Sequence, residues 1–166
     1  RVEARPRQIA APSTNEELAE LVRSAPGPLR IAGAGHSFTP LVASEGTIVS
    51  LEKFEGLVAH DQAKLQATVR AGTRLGPLMH LLHGIGQGLP NMGDIDRQAI
   101  AGALGTATHG SGPTLGAYHT QLEAMEFIDG RGEVRRFDMA GNAEMIRATG
   151  VTLGAFGILT EVTLNN

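Results

Sequence analysis

Cysteine is absent from the 166 residues, which excludes disulfides, thiolate nucleophiles and zinc–sulfur sites together. Tryptophan is absent too, and five phenylalanines with one tyrosine speak against an aromatic ligand cage. No apolar run reaches the roughly 18 residues of a membrane span. Basic excess is missing as well: 14 Lys and Arg against 17 Asp and Glu leave a net charge of −3, which argues against a broad nucleic-acid footprint. The charged start, Arg1-Val2-Glu3-Ala4-Arg5-Pro6, has no apolar h-region of a signal peptide, so a cytoplasmic location is expected. No Gly-x-x-x-x-Gly-Lys-Ser/Thr occurs, which excludes a nucleoside triphosphatase loop. No Gly-x-Ser-x-Gly elbow supports reading Ser37 beside His36 as a hydrolase pair.

What remains is a foldable chain of one-domain length, 42% hydrophobic and 19% charged, in which glycine is the outlier. The 22 glycines are about twice the usual ~7% share. Nine of them lie between 84 and 116, where backbone can approach a ligand almost continuously.

Periodicity places the elements. Strands are predicted at 7–10, 29–32, 47–51 and 65–70. A helix opens at Ser13-Thr14, where either Ser13 with Glu16 or Thr14 with Glu17 can form a capping box. Leu18, Leu21, Val22 and Ala25 supply its apolar stripe before Pro26-Gly27-Pro28 stops it. A second helix starts near Thr73 with a stripe of Leu75, Leu78, Met79 and Leu82. A hairpin of strands 122–128 and 132–137 turns at Asp129-Gly130-Arg131-Gly132, a short helix spans 142–149, and a last strand covers 157–164. The class is α+β with mixed sheets flanked by helices, arranged as two subdomains that part near Gly56, about 1–56 and 57–166.

The first chemical signal is Ala32-Gly33-Ala34-Gly35-His36-Ser37-Phe38 after a strand. A Rossmann fingerprint, with Glu52 about 20 residues on, is one reading. Phe38 at the third glycine position and the short distance past Pro40 to the next strand argue against it, because no crossover helix fits. Successive N–H groups of a Gly-x-Gly turn can nevertheless converge on a phosphate. His36 at the tip is either a loop histidine capping a carbonyl or a nucleophile, base or covalent anchor. The second signal runs from Pro90-Asn91-Met92-Gly93-Asp94-Ile95-Asp96 into Ala99-Ile100-Ala101-Gly102-Ala103-Leu104-Gly105-Thr106-Ala107-Thr108-His109-Gly110-Ser111-Gly112.

These two segments, together with Leu153-Gly154-Ala155-Phe156-Gly157-Ile158-Leu159-Thr160-Glu161-Val162, resemble the FAD-binding domain of the vanillyl-alcohol-oxidase flavoprotein family. The branch they resemble is that of the sugar-acid lactone and alditol oxidoreductases, including L-gulonolactone and D-arabinonolactone oxidases and dehydrogenases. The resemblance covers essentially the whole chain. It implies that Ala32, Gly33, Ala34, Gly35, His36, Ser37 and Phe38 wrap the FAD pyrophosphate, with His36 where members attach the flavin covalently. It implies that Gly93, Asp94, Gly102, Ala103, Thr106, Thr108, His109, Ser111 and Gly112 line the flavin and its phosphates, and that Gly154, Gly157 and Ile158 lie beside the adenosine half. Members carry a further substrate domain beyond the last strand. This chain is therefore expected to be a cofactor module that meets its sugar-acid lactone or polyol substrate through a cap domain absent here, with no catalytic residue of its own and no turnover alone. The alternative is a non-catalytic FAD- or nucleotide-binding module.

Other candidates have plainer readings. His80 and His83 share a metal-like spacing, but no third ligand is near in sequence and His80 falls opposite the leucine stripe. Asp94 and Asp96 are either an acid–base pair or, with Gly93, a turn and helix cap. His109 is either a buried histidine bonded to backbone or a cofactor-lining residue. His60 and His119 read as surface or strand-end residues.

Overall fold

Two sheets of opposite habit organise residues 3–166, the residues described by this computed structural model; Arg1 and Val2 of the charged start lie outside them. In the first, β1 (Gln8–Ala10), β2 (Leu29–Ala32) and β3 (Thr47–Ser50) pair in parallel, with β3 in the middle. In the second, β4 (Leu57–Asp61), β5 (Gln66–Arg70), β6 (Leu122–Ile128), β7 (Val134–Asp138) and β8 (Ile158–Asn165) are antiparallel in the order β4-β5-β8-β6-β7. Helices α1 (Asn15–Ser24), α2 (Leu75–Gly84), α3 (Ile100–Gly105) and α4 (Met139–Thr149) complete the α+β class that the pattern predicts. Gly56 lies on the stretch between β3 and β4, where the chain leaves one sheet for the other.

Local chemistry explains the element boundaries. Of the two pairs open to α1, Thr14 with Glu17 forms the N-cap, although the Glu17 carboxylate returns to Ser13 and not to Thr14 itself. Thr14 Oγ1 accepts from the Glu17 N–H at 3.2 Å, and Glu17 reaches back to the Ser13 N–H at 2.7 Å. The stretch between β2 and β3 contains only a 3-10 turn at Pro40–Val42, so the first glycine loop opens no α-helix, as its spacing requires. Helix α2 has no side-chain cap. The carbonyls of Gln98 and Asp96 serve instead, accepting from Leu75 and Gly76 at 2.9 Å each. Asp138 caps α4 by accepting from Gly141, and a kink at Asn142 separates that first turn from the regular helix at the predicted start.

The sequence pattern misses β4. It is an edge strand whose Val58, Ala59 and His60 are exposed, with Leu57 alone packing inward, so neither burial nor alternation marks it.

Two apolar clusters hold the layers. The larger joins Val69, Leu78, Leu82, Ile100, Leu104, Tyr118, Met125 and Val162, which packs α2 and α3 on one face of the antiparallel sheet. The smaller joins Leu18 of α1 and Val49 of β3 to Ile128 and Ile158, and so fastens the parallel sheet to the antiparallel one.

Candidate functional site

Helix α3 is the post around which the glycine segments assemble. A Cβ placed on Gly33, just past β2, would lie 3.9 Å from Ala99 Cβ at the start of α3. One placed on Gly105, at its end, would lie 3.7 Å from the Leu153 backbone nitrogen. Segments 33–38 and 153–157, distant in sequence, thus meet the two ends of α3, and the surface they border with 99–112 is the candidate cofactor cleft.

Segment 33–38 leaves Ala32, the last residue of β2. Gly35 takes a φ of +71°, with nothing within 4 Å of where its Cβ would be, so glycine is needed for conformation and leaves room for a ligand. His36 is half-buried, and its ring meets Phe38 edge to face at 5.7 Å. Phe38 itself is 93% exposed, far beyond what a phenylalanine gains from solvent. Ser37 Oγ lies 3.3 Å from Thr39 Oγ1.

In segment 99–112, Gly102 presents open space on the face of α3 turned from the core, while Ala103 is fully buried in it and can offer only backbone. The Thr106 hydroxyl donates to the Gly102 carbonyl at 2.8 Å and lies 3.1 Å from Thr108 Oγ1, which accepts from Gln98 Nε2 at 3.0 Å. Ala107 between them holds a φ of +53°, costly for a residue with a Cβ. His109 is exposed, not buried, but it does bond backbone: Nδ1 sits 2.7 Å from the Gly110 carbonyl. A carbonyl only accepts, so Nδ1 carries the proton and a neutral His109 has Nε2 free as an acceptor. Ser111 and Gly112 follow, both exposed, Gly112 at φ +125°.

The stretch around Asn91 underpins this segment. A Cβ on Gly110 would collide with the Met92 carbonyl and the Asn91 side chain, so the two strands of loop touch through bare backbone. The Gly93 N–H donates to the Tyr118 hydroxyl at 3.2 Å, and the Tyr118 N–H to the Thr108 carbonyl at 3.0 Å. Asn91, Gln98 and Tyr118 are site-building residues that sequence reasoning passed over. Their partners lie 10 to 25 residues away, and no spacing rule flags them. Asp94 and Asp96 are exposed, and neither caps the helix that follows: α3 has Ala99 at its N-cap with no side-chain bond, and Asp96 meets α2 only through its backbone carbonyl.

Segment 153–157 contains Leu153 at φ +53°, Gly154 at +82° and Gly157 at +151°. Gly157 is packed against the Ile128 carbonyl, and the Ile158 side chain is 5% exposed in the smaller core cluster, so here again backbone is what faces the cleft. Outside the cleft, His80, His83 and His60 are exposed, and His119 is half-buried on the 3-10 turn Tyr118–Gln121 with its Nδ1 enclosed.

The donor set suits an elongated phosphate-bearing ligand. Among the described residues, the N–H groups of 34–38 and of 110–112 make no hydrogen bond, and the first set lies in a turn containing a left-handed glycine, the geometry of an anion nest. The Cβ positions of Gly35 and Gly102 are both open space that a side chain would begin to fill. FAD fits these features: a pyrophosphate for the N–H groups, and flat apolar rings for Phe38, Leu153 and Phe156, each more than half exposed.

Comparison with known proteins agrees. The FAD binding domain family matches residues 6–138, and the chain belongs to that family. D-arabinono-1,4-lactone oxidase of Eremothecium gossypii is 32% identical across 97% of this chain and 32% of its own length. L-gulono-1,4-lactone dehydrogenase of Mycobacterium tuberculosis is 32% identical across 96% of this chain and 37% of its own. Among solved structures, 6-hydroxy-D-nicotine oxidase of Arthrobacter nicotinovorans superposes with a TM-score of 0.86 at 20% identity, over 99% of this chain and 37% of that one. The family resemblance read from the motifs therefore holds, and the chain spans about a third of the length of the curated relatives it matches.

Proposed function

We propose that this chain is the FAD-binding part of a flavin-dependent oxidoreductase acting on CH–OH groups of sugar-acid lactones or alditols. The observation that carries the reading is the convergence of segments 33–38, 99–112 and 153–157 on α3, with free N–H groups and open glycine sites in the cleft. The names of its relatives support the substrate class. Bound FAD supplies the hydride acceptor. The chain's own residues hold and orient it: the N–H groups of 34–38 on the pyrophosphate, Gly102, Thr106, Thr108 and His109 along the flavin side, and backbone near Gly154 and Gly157 beside the adenosine. On this reading the chain binds cofactor without turning over substrate, because the resemblance assigns the acid–base residues to a substrate domain beyond the last strand. Titrating the protein with FAD should quench flavin fluorescence and raise the melting temperature; no change at saturating FAD refutes the reading.

His36 is the proposed covalent anchor. It sits at the tip of the nest, beside a left-handed glycine that removes a Cβ from its approach, and Phe38 meets its ring edge to face. After loading with FAD, acid precipitation should leave flavin in the protein pellet, and His36→Ala should release all of it to the supernatant. Flavin retained by the alanine variant would place the anchor elsewhere.

A further inference from the structure

Away from the cleft, one charged side chain stands out: Glu126 in β6 is 5% exposed. Its Oε1 accepts from Asn15 Nδ2 and from Thr160 Oγ1, both at 2.7 Å, and its Oε2 is held by the Arg136 guanidinium. Thr160 lies on β8 and Arg136 on β7, so these partners belong to Glu126's own sheet. Asn15 does not. It is the first residue of α1, the helix that packs the parallel sheet.

We infer that Glu126 is a positioning residue for the cofactor cleft, its carboxylate fixing through Asn15 how closely the parallel sheet approaches the antiparallel one. The apolar cluster of Leu18, Val49, Ile128 and Ile158 also joins the two sheets, but apolar contact is non-directional and tolerates sliding. A charge-assisted bond at 2.7 Å does not. At the far end of α1, Arg23 Nη1 donates to the Gly132 carbonyl at 3.1 Å, so the helix is pinned at both ends to the β6–β7 hairpin. From α1 the chain passes through Pro26-Gly27-Pro28 directly into β2, whose end carries segment 33–38. A shift of α1 is therefore passed along a short connection, its ends fixed by Pro26 and Pro28, to the segment that faces Ala99. Glu126 touches neither cleft wall and acts through α1.

The absence of cysteine makes the cleft width measurable. The 3.9 Å between the Cβ sites of Gly33 and Ala99 lies inside the range of about 3.5–4.5 Å that a disulfide spans. Gly33→Cys with Ala99→Cys should form a disulfide in a glutathione buffer, and its equilibrium reports the approach of the two walls. Adding Asn15→Ala, which removes the bond between sheets, should lower that equilibrium about tenfold, the order expected for one hydrogen bond to a charged group. Adding Arg136→Gln, which removes a bond within one sheet, should change it less than about twofold although it also lowers the melting temperature. Equal effects of the two, or none from Asn15→Ala in a protein with native circular dichroism, would overturn the inference. Its bearing on FAD rests on the proposed function. In the cysteine-free background Asn15→Ala should weaken FAD binding by a similar factor, and intact FAD affinity there would overturn that part. If the wild-type chain fails to bind FAD, the functional reading falls while the disulfide comparison still decides the latch.

Discussion

Around α3 the chain presents exposed backbone, positive-φ residues and unpartnered N–H groups, whereas under α1 the two sheets meet through a filled apolar cluster and a carboxylate with its partners in place. Ala107 and Leu153 sit in the left-handed region, and Phe38, Leu153 and Phe156 offer apolar surface to solvent. On the other side, Leu18, Val49 and Phe54 are fully buried and Glu126 is saturated. The contrast separates two jobs. One junction carries positive-φ residues and exposed apolar side chains, and the other supplies the stability that lets them persist.

The most severe break comes at a glycine where the two regions meet, on segment 153–157 and against β6, rather than at the carboxylate. Gly157 has a φ of +151°, and an added Cβ would strike the Ile128 carbonyl, which is backbone and cannot move aside. Gly157→Ala should cost about 3 kcal/mol or more, since strain and overpacking add. That corresponds to a fall of roughly 10 °C in melting temperature for a chain of this size. Thermal denaturation checks it; a loss under about 1 kcal/mol would show that β6 and β8 can separate there at little cost.

The first junction should respond in the opposite sense. Gly102 lies in α3 with open space at its Cβ position, so Gly102→Leu gains helix propensity of up to about 1 kcal/mol and should leave the melting temperature level or raised. The same side chain projects into the cleft, and FAD affinity should drop about tenfold or more, or about 1.4 kcal/mol. A variant that is both more stable and a full-strength FAD binder would place the cofactor off this face of α3.

The two regions also differ in how far their sequence betrays them. The cleft announces itself because bare glycine, an imidazole and small hydroxyls occur as contiguous strings, and contiguity is what a motif records. The α1 cap and stripe were legible for the same reason: Thr14, Glu17, Leu18 and Leu21 act within two turns. The latch is different. Asn15 and Glu126 are 111 residues apart, and neither is unusual where it stands: Asn15 begins a helix and Glu126 looks like an ordinary exposed strand residue between Met125 and Phe127. Only the tertiary pairing of α1 with β6 makes it a buried charge. Gln98, Asn91 and Tyr118 were hidden in the same way, as supports whose partners are brought close by folding.

The mildest test titrates that buried charge. Desolvation pushes the Glu126 carboxyl up, but hydrogen bonds from Thr160, Asn15 and Arg136, with the Arg136 charge, outweigh it and leave the group below its ordinary value. A carboxyl depressed in the folded state adds stability that is present above its unfolded pKa, near ~4.3, and is lost as pH falls through the lower folded value. Glu17, held down by the Ser13 N–H and hydroxyl, and Asp129, held down by Arg135 and nearby N–H groups, titrate in the same acid window, so total stability cannot isolate the latch. The difference between the wild type and Glu126→Gln can. Urea unfolding should show the glutamine variant less stable at pH 7, because its amide leaves Arg136 without a charged partner and places donors where acceptors are needed. The gap should hold down to about pH 5 and narrow as the pH falls below the unfolded value near ~4.3, where the unfolded wild-type chain takes up a proton that the folded carboxylate resists. A gap that stays constant from pH 7 to pH 3 would mean that shape, not charge, is what Glu126 contributes beneath α1.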